Sequence, residues 1–268
     1  MKVIQALLLK HGVAEHLRSV VSQAPPLRVL GLDINTNVTG YVVLNEHGRL
    51  DTAGHVSTKH LASDQQILDI GVDIASTLQA LPATRPAQWV VGIEDFLKTY
   101  AGGRFHTKGL FQLAQLNGLV SYCCLTAFNV RPQHVHPTTA RAFFRLAKPK
   151  GSPKKDAIKH VVLDFALASE PALAFPENLS AGYRYDVADA YVIALYTYWQ
   201  HVASCACDPE LAWTRDVSAA LREALVKPLV RRQAAAPEAF DGDAYVASLL
   251  RTHVQQHIKD TLGTSGVK

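Results

Sequence analysis

Two apolar segments of this chain run into a carboxylate, and any fold must give those carboxylates a partner. Leu27–Asp33 reads as a buried strand, Leu-Arg-Val-Leu-Gly-Leu-Asp, followed by the turn-prone Ile-Asn-Thr-Asn. Trp89–Phe96 is a second, continuous apolar strand that carries Glu94 near its end in Val-Val-Gly-Ile-Glu. Strands apolar at nearly every position belong inside a sheet rather than at its edge. A carboxylate in such surroundings is costly unless it is paired or bound to a cation.

The segments around these two complete a pattern. Gly40–Asn45 and Leu50–Thr58 read as further strands joined by the turn Glu46-His47-Gly48-Arg49, so the first three strands are expected to be antiparallel. The period then changes. Ser63-x-x-Gln66 is a capping box, and Ile67, Ile70, Ile74, Leu78 and Leu81 share one helical face before Pro82. A helix is predicted over 108–128, a short strand over 130–136, a helix from the 148–155 loop to about 167, and another over 184–200. Residues 208–268 hold two weakly amphipathic stretches. The order predicts an α/β fold: a mixed five-stranded sheet, three antiparallel strands then parallel ones, flanked by helices and carrying helical N- and C-terminal extensions. The expected division is 1–26, 27–203 and 204–268.

Charge is distributed unevenly. The formal net charge is +4, yet between Lys98 and Lys159 there are 11 Lys and Arg against one acid, Asp156. A basic block in an otherwise acidic chain is an electrostatic footprint for nucleic acid. No stretch reaches the ~18 uninterrupted apolar residues of a membrane helix, so no membrane partner is expected. The cysteines, Cys123-Cys124 and Cys205-x-Cys207, lack zinc-knuckle spacing and read as reduced thiols. Residues 1–23 hold Lys2, Lys10 and Arg18 against one acid, Glu15, with apolar residues at helical spacing. A start of that kind resembles a mitochondrial targeting segment; a retained first helix is the alternative. The matching localisation is the mitochondrial matrix, or else the cytoplasm.

Two more acids complete the candidate site. Asp186 and Asp189 open an apolar helix, Asp-Val-Ala-Asp-Ala-Tyr-Val-Ile-Ala-Leu, and their i, i+3 spacing puts both on one face. Carboxylates aimed together repel, and a divalent cation removes the repulsion. Oxygen-only ligands suit Mg²⁺ or Mn²⁺ rather than zinc, and paired hard cations serve phosphoryl chemistry. His134 and His136, with no cysteine near, read as polar loop histidines.

These residues resemble the RNase H-like superfamily, specifically the RuvC-type Holliday junction resolvases. Leu30-Gly-Leu-Asp33 with Thr39-Gly40-Tyr41 is similar to that family's first strand and hairpin, and Ile93-Glu94 to its second motif. Gln112-Leu-Ala-Gln115-Leu-Asn-Gly118 resembles the helix that contributes to the family's dimer interface. Gly151-Ser152-Pro-Lys-Lys155 and Asp186-Val-Ala-Asp189-Ala resemble the basic loop and the closing Asp-x-x-Asp-Ala. The resemblance covers roughly 28–200. It implies a homodimeric endonuclease that resolves four-way DNA junctions with two Mg²⁺ or Mn²⁺ ions per active site, leaving 5′-phosphate and 3′-hydroxyl ends. It assigns metal binding to Asp33, Glu94, Asp186 and Asp189, and contact with the scissile phosphate to Lys155, helped by Lys154. Phe96, Tyr100 or Phe105 would stack on an unpaired base. Lys98, Arg104, Lys108, Arg141, Arg145, Lys148 and Lys150 would hold backbone phosphates and make binding salt-dependent.

Bacterial members begin almost directly with the first strand and end soon after the Asp-x-x-Asp helix. The additional residues here look like those of an organellar homologue or of a member recruited into another assembly. The alternative function is an RNase H-like factor acting on RNA or in a ribonucleoprotein or mitoribosome-assembly complex. The first strand and hairpin also look like those of actin-like ATPases, which need a second glycine-rich phosphate loop. The only Gly-Gly, Gly102-Gly103, lies in a basic loop with no Asp before it.

Overall fold

The computed structural model describes residues 2–58, 67–81, 87–95, 107–148, 157–173, 175, 179–235 and 240–265. The chain divides into two compact units, 25–198 and a second made of the residues before and after it.

The larger unit holds a five-stranded sheet. Its strands are β1 (Leu27–Asp33), β2 (Val38–Leu44), β3 (Leu50–Ser57), β4 (Gln88–Glu94) and β5 (Gln133–Val135), in the order β3-β2-β1-β4-β5. The β1–β2 and β2–β3 pairs are antiparallel, and β4 and β5 add in parallel. This is the expected mixed sheet, three antiparallel strands followed by parallel ones. The β2–β3 turn is built locally. The side chain of Asn45 accepts from the backbone N–H groups of His47 and Arg49, and Gly48 supplies the left-handed φ of 70°.

Both faces of the central strands are covered, which explains their unbroken apolar sequence. One face presents Leu30, Leu32, Val91 and Ile93 to α3 (Ile67–Ala80) and α4 (Thr107–Phe128), whose Ile70, Ile74, Leu78, Leu116 and Val120 complete that core. The other face carries Gly31 and Gly92 and lies against α7 (Ala181–Ala206). Between them the chain adds two shorter helices, α5 (Pro137–Phe143) and α6 (Ala157–Ser169). The short α5 was not foreseen. Its Pro137 sits at the helix start, and the His136 side chain accepts from the Thr138 N–H as its N-cap. The expected strand over 130–136 is accordingly only three residues long. The helix expected over 184–200 is longer at both ends, because nothing in its sequence stops it before Asp208. The capping box at 63–66 lies outside the described residues.

The second unit contains α1 (Lys2–Lys10), α2 (Val13–Ser22), α7 from Trp199 onward, α8 (Ala212–Ala224), α9 (Val226–Ala235) and α10 (Gly242–Ser265). The two ends of the chain, expected as separate extensions, therefore share one core. Ile4, Leu8 and Val13 are buried, as are Val202, Ala206, Val217, Leu221, Val246, Leu250, Val254 and Ile258. The rings of His16 and Trp213 stack at 4.1 Å. His16 Nε2 bonds the Ala206 carbonyl at 2.9 Å, and Trp213 Nε1 donates to the His11 carbonyl at 2.7 Å. All four cysteines are free, and burial pushes the Cys124 thiol up to about 12, which keeps it unreactive.

Leu8 tests whether the first helix is structural. Leu8→Ala is expected to cost about 2–5 kcal/mol in the unfolding of this helical unit, as for other fully buried leucines. Denaturant titration reads the loss, and an unchanged midpoint would mean that α1 is dispensable.

Candidate active site

The geometry begins with strand register. β1 and β4 pair in parallel with Leu32 beside Ile93, so Asp33 and Glu94 emerge side by side at the carboxyl ends of the two central strands. That edge is where open α/β sheets bind ligands. Asp33 also faces Gly40 across the antiparallel pair. On the same sheet face, α7 contributes Asp186, which is half-buried, and Asp189, which is buried. The sheet and one helix thus bring all four expected acids into mutual electrostatic range.

Their charges are felt. Burial pushes the Asp33 carboxyl well above the usual range, and the Glu94, Asp189 and Asp186 carboxylates push it further. Burial raises Glu94 to about 7, with Asp189 and Asp186 adding to the effect and Arg141 opposing it. Backbone contacts hold this end of β4 in place. Asn117, buried in α4, donates from Nδ2 to the Glu94 carbonyl at 3.0 Å, and the Asp95 N–H donates to Val135 O at 2.9 Å.

Arg141 is the residue whose position differs most from expectation. The sequence reading put it on backbone phosphates. In the structure α5 delivers it into the acid cluster, where Nη2 donates to Asp189 Oδ1 at 2.7 Å. The two side chains are 20% and 10% exposed, and Arg141 Nε is buried with no hydrogen-bond partner among the described residues. Neither α5 nor this pairing is visible in a charge count. The signal that could have found them is Pro137 after a polar residue, a helix start that sets Arg141 on its last turn.

The other expected residues fall in three groups. Arg145 and Lys148 are exposed after α5, with Arg145 in the left-handed region at φ 59°. Lys108 belongs to α4, and its side chain lies outside what is described. Phe96, Lys98, Tyr100, Arg104, Phe105, Lys150, Lys154 and Lys155 also lie outside the described residues. His134 Nε2 and Ser121 Oγ are 3.3 Å apart, and His136 caps α5, so both histidines have local structural partners.

Among the described residues, no three His, Cys, Asp or Glu side chains stand at ligating geometry for a metal ion. The donor set nevertheless fits a hard divalent cation. It is all carboxylate oxygen, and the repulsion that raises Asp33 and Glu94 is the repulsion a cation would relieve. In the structure Arg141 relieves part of it, through its ion pair with Asp189.

No family model matches the chain, and no curated protein is similar to it in sequence. Among solved structures it is similar to Thermus thermophilus RuvC. RuvC in complex with a Holliday junction substrate aligns at 15% identity over 65% of this chain and 92% of that one, with a TM-score of 0.43. The Thermus thermophilus RuvC structure aligns at 14% identity over 66% and 95%, also at 0.43.

The raised carboxyl groups fix the sign of a pH effect. A carboxyl whose folded pKa exceeds its unfolded value stabilises the fold below the unfolded value and loses that contribution as pH rises through the folded one. For Glu94 the window runs from 4.5 to about 7. Thermal unfolding in EDTA should therefore show lower stability at pH 8 than at pH 5, with Mn²⁺ restoring part of the loss at pH 8. Arg141→Gln should cost on the order of 3 kcal/mol at pH 8, because Asp189 is left buried and uncompensated. The penalty should shrink at pH 5.

Proposed function

We propose that this chain is a metal-dependent, structure-selective endonuclease that cuts four-way DNA junctions as a homodimer. The observation that carries the reading is the convergence of Asp33, Glu94, Asp186 and Asp189 at one end of the central strands, where the charges of Asp186 and Asp189 help raise Asp33 and Glu94. Buried carboxylates serving only structure would destabilise the fold at neutral pH for no return. Their oxygens would hold two Mg²⁺ or Mn²⁺ ions. Bound there, such a pair supplies positive charge opposite the scissile phosphate and makes water a stronger acid.

The chain's own residues bind and orient. The four acids would hold the cations, and Asn117 fixes the backbone that aims Glu94. Lys155, with Lys154, would neutralise charge on the phosphate, and Phe96, Tyr100 or Phe105 would stack on an unpaired base. The basic block from Lys98 to Lys159, with Arg104, Lys108, Arg145, Lys148 and Lys150, carries the charge needed to follow DNA backbones.

The dimer reading has its own support. Phe111, Gln115, Gly118, Tyr122 and Leu125 form one exposed stripe along α4, with Phe111 and Tyr122 each 65% exposed. A Cβ at Gly118 would meet nothing within 4 Å, so the stripe has a shallow centre between two aromatic side chains. Such a patch suits a self-complementary interface, which would set two active sites on opposed strands. Tyr122→Glu should shift the protein toward monomer in sedimentation velocity while its melting temperature stays near wild type. The mitochondrial matrix remains the proposed location, on the basic amphipathic start alone. Because Ile4 and Leu8 are buried in the helical unit, we propose that this start is retained.

The decisive assay uses a synthetic four-way DNA junction and a matched duplex, in Mg²⁺ or EDTA. Metal-dependent paired nicks near the junction centre, absent on duplex, are expected. Asp186→Asn should keep junction binding and lose cutting. Loss of both together would sink the metal role of Asp186. Tight binding by the wild type without cutting would favour the alternative RNA or ribonucleoprotein reading.

A further inference from the structure

Three glycines lie under α7, each beside one of the carboxylate positions. Gly31-Leu-Asp33 in β1 and Gly92-Ile-Glu94 in β4 share one spacing, and the register pairs Gly31 with Gly92. A separation of two residues in a strand puts each glycine on the same sheet face as its carboxylate. β2 adds Gly40, directly opposite Asp33. All three positions face α7.

Gly40 and Gly31 meet the backbone of that helix. A Cβ at Gly40 would lie 2.3 Å from the Asp186 carbonyl oxygen, 2.5 Å from its carbonyl carbon and 2.9 Å from Val187 N. One at Gly31 would lie 2.4 Å from the Ala190 carbonyl oxygen and 2.5 Å from Ala194 N. No rotamer change relieves contacts with backbone, so a methyl group there must lift the helix or bend the strand. Gly92 differs. Its Cβ would come 2.1 Å from Thr197 Oγ1, the movable end of a side chain that has no hydrogen-bond partner among the described residues.

The helix therefore rests with its backbone against the backbone of β1 and β2 at the turn that carries Asp186 and Asp189. Aspartate has the shortest carboxylate arm, one methylene less than the glutamate β4 supplies from within the sheet. We propose that Gly40, supported by Gly31, is a positioning residue: it sets the depth of α7 so that the short arms of Asp186 and Asp189 reach the cation site shared with Asp33 and Glu94. This rests on the divalent-cation reading above.

The test is Mn²⁺ binding by the full chain without nucleic acid, followed by electron paramagnetic resonance beside thermal unfolding. Gly40→Ala should weaken Mn²⁺ about ten- to hundredfold, the range for residues that orient metal ligands, while still unfolding cooperatively. Gly92→Ala should lower the melting temperature but leave affinity within about threefold, since it meets only side chains, the Thr197 hydroxyl that must turn away and the Thr197 Cβ and Ile193 methyl that must give slightly. Asp186→Glu keeps the charge and lengthens the arm. Alone it should weaken Mn²⁺ about tenfold with little change in melting temperature, and in the Gly40→Ala background it should recover part of the lost affinity.

Wild-type affinity in Gly40→Ala, equal affinity losses in Gly40→Ala and Gly92→Ala, or wild-type affinity in Asp186→Glu would each overturn the proposal while leaving the cation reading intact. If Gly40→Ala does not fold, Asp186→Glu alone decides. No Mn²⁺ binding by the wild-type protein would overturn the cation reading and the proposal with it.

Discussion

Four carboxylates held close together, three of them half-buried and Asp189 buried, repel one another, and the architecture around them answers that repulsion. Asp33 and Glu94 lie at the ends of strands whose register leaves them no room to part. Asp189 is buried on a helix seated against the same face. The Arg141 guanidinium on Asp189 offsets part of that cost.

The sheet divides its labour by face. Leu30, Leu32, Val91 and Ile93 pack into a dense apolar layer with α3 and α4, and that layer anchors the strands. The opposite face surrenders side chains at Gly31, Gly40 and Gly92 so that α7 can come in close. Stability and site are thus built from alternate residues of the same strands. One strand residue can be a core leucine and its neighbour a glycine or a ligand, with no conflict between the two roles.

Much of this was legible in the sequence. Strand assignments at Leu27–Asp33 and Trp89–Phe96 followed from unbroken apolar runs, and the antiparallel start followed from short turns. Asp186 and Asp189 stood out because two acids three apart interrupt an apolar helix. What escaped was short or non-local. The seven-residue α5 has too few turns to show a period, so Arg141 was read as one more cation of a basic block. The union of the chain's two ends escaped too, because Leu8 and Leu250 are far apart in sequence and no local pattern links them.

The sequence by itself determined which residues could carry chemistry, the order of the strands and of the longer helices between them, and the strong excess of positive charge from Lys98 to Lys159. Those are local properties: periodicity, residue type and composition. Only the tertiary structure decided that Asp33 lies beside Glu94, that Arg141 belongs to Asp189, and that Gly40 faces the carbonyl of Asp186. Each of these depends on register between strands or on the depth of one helix. Such distances arise from packing summed over the whole core, and no single segment of chain encodes them.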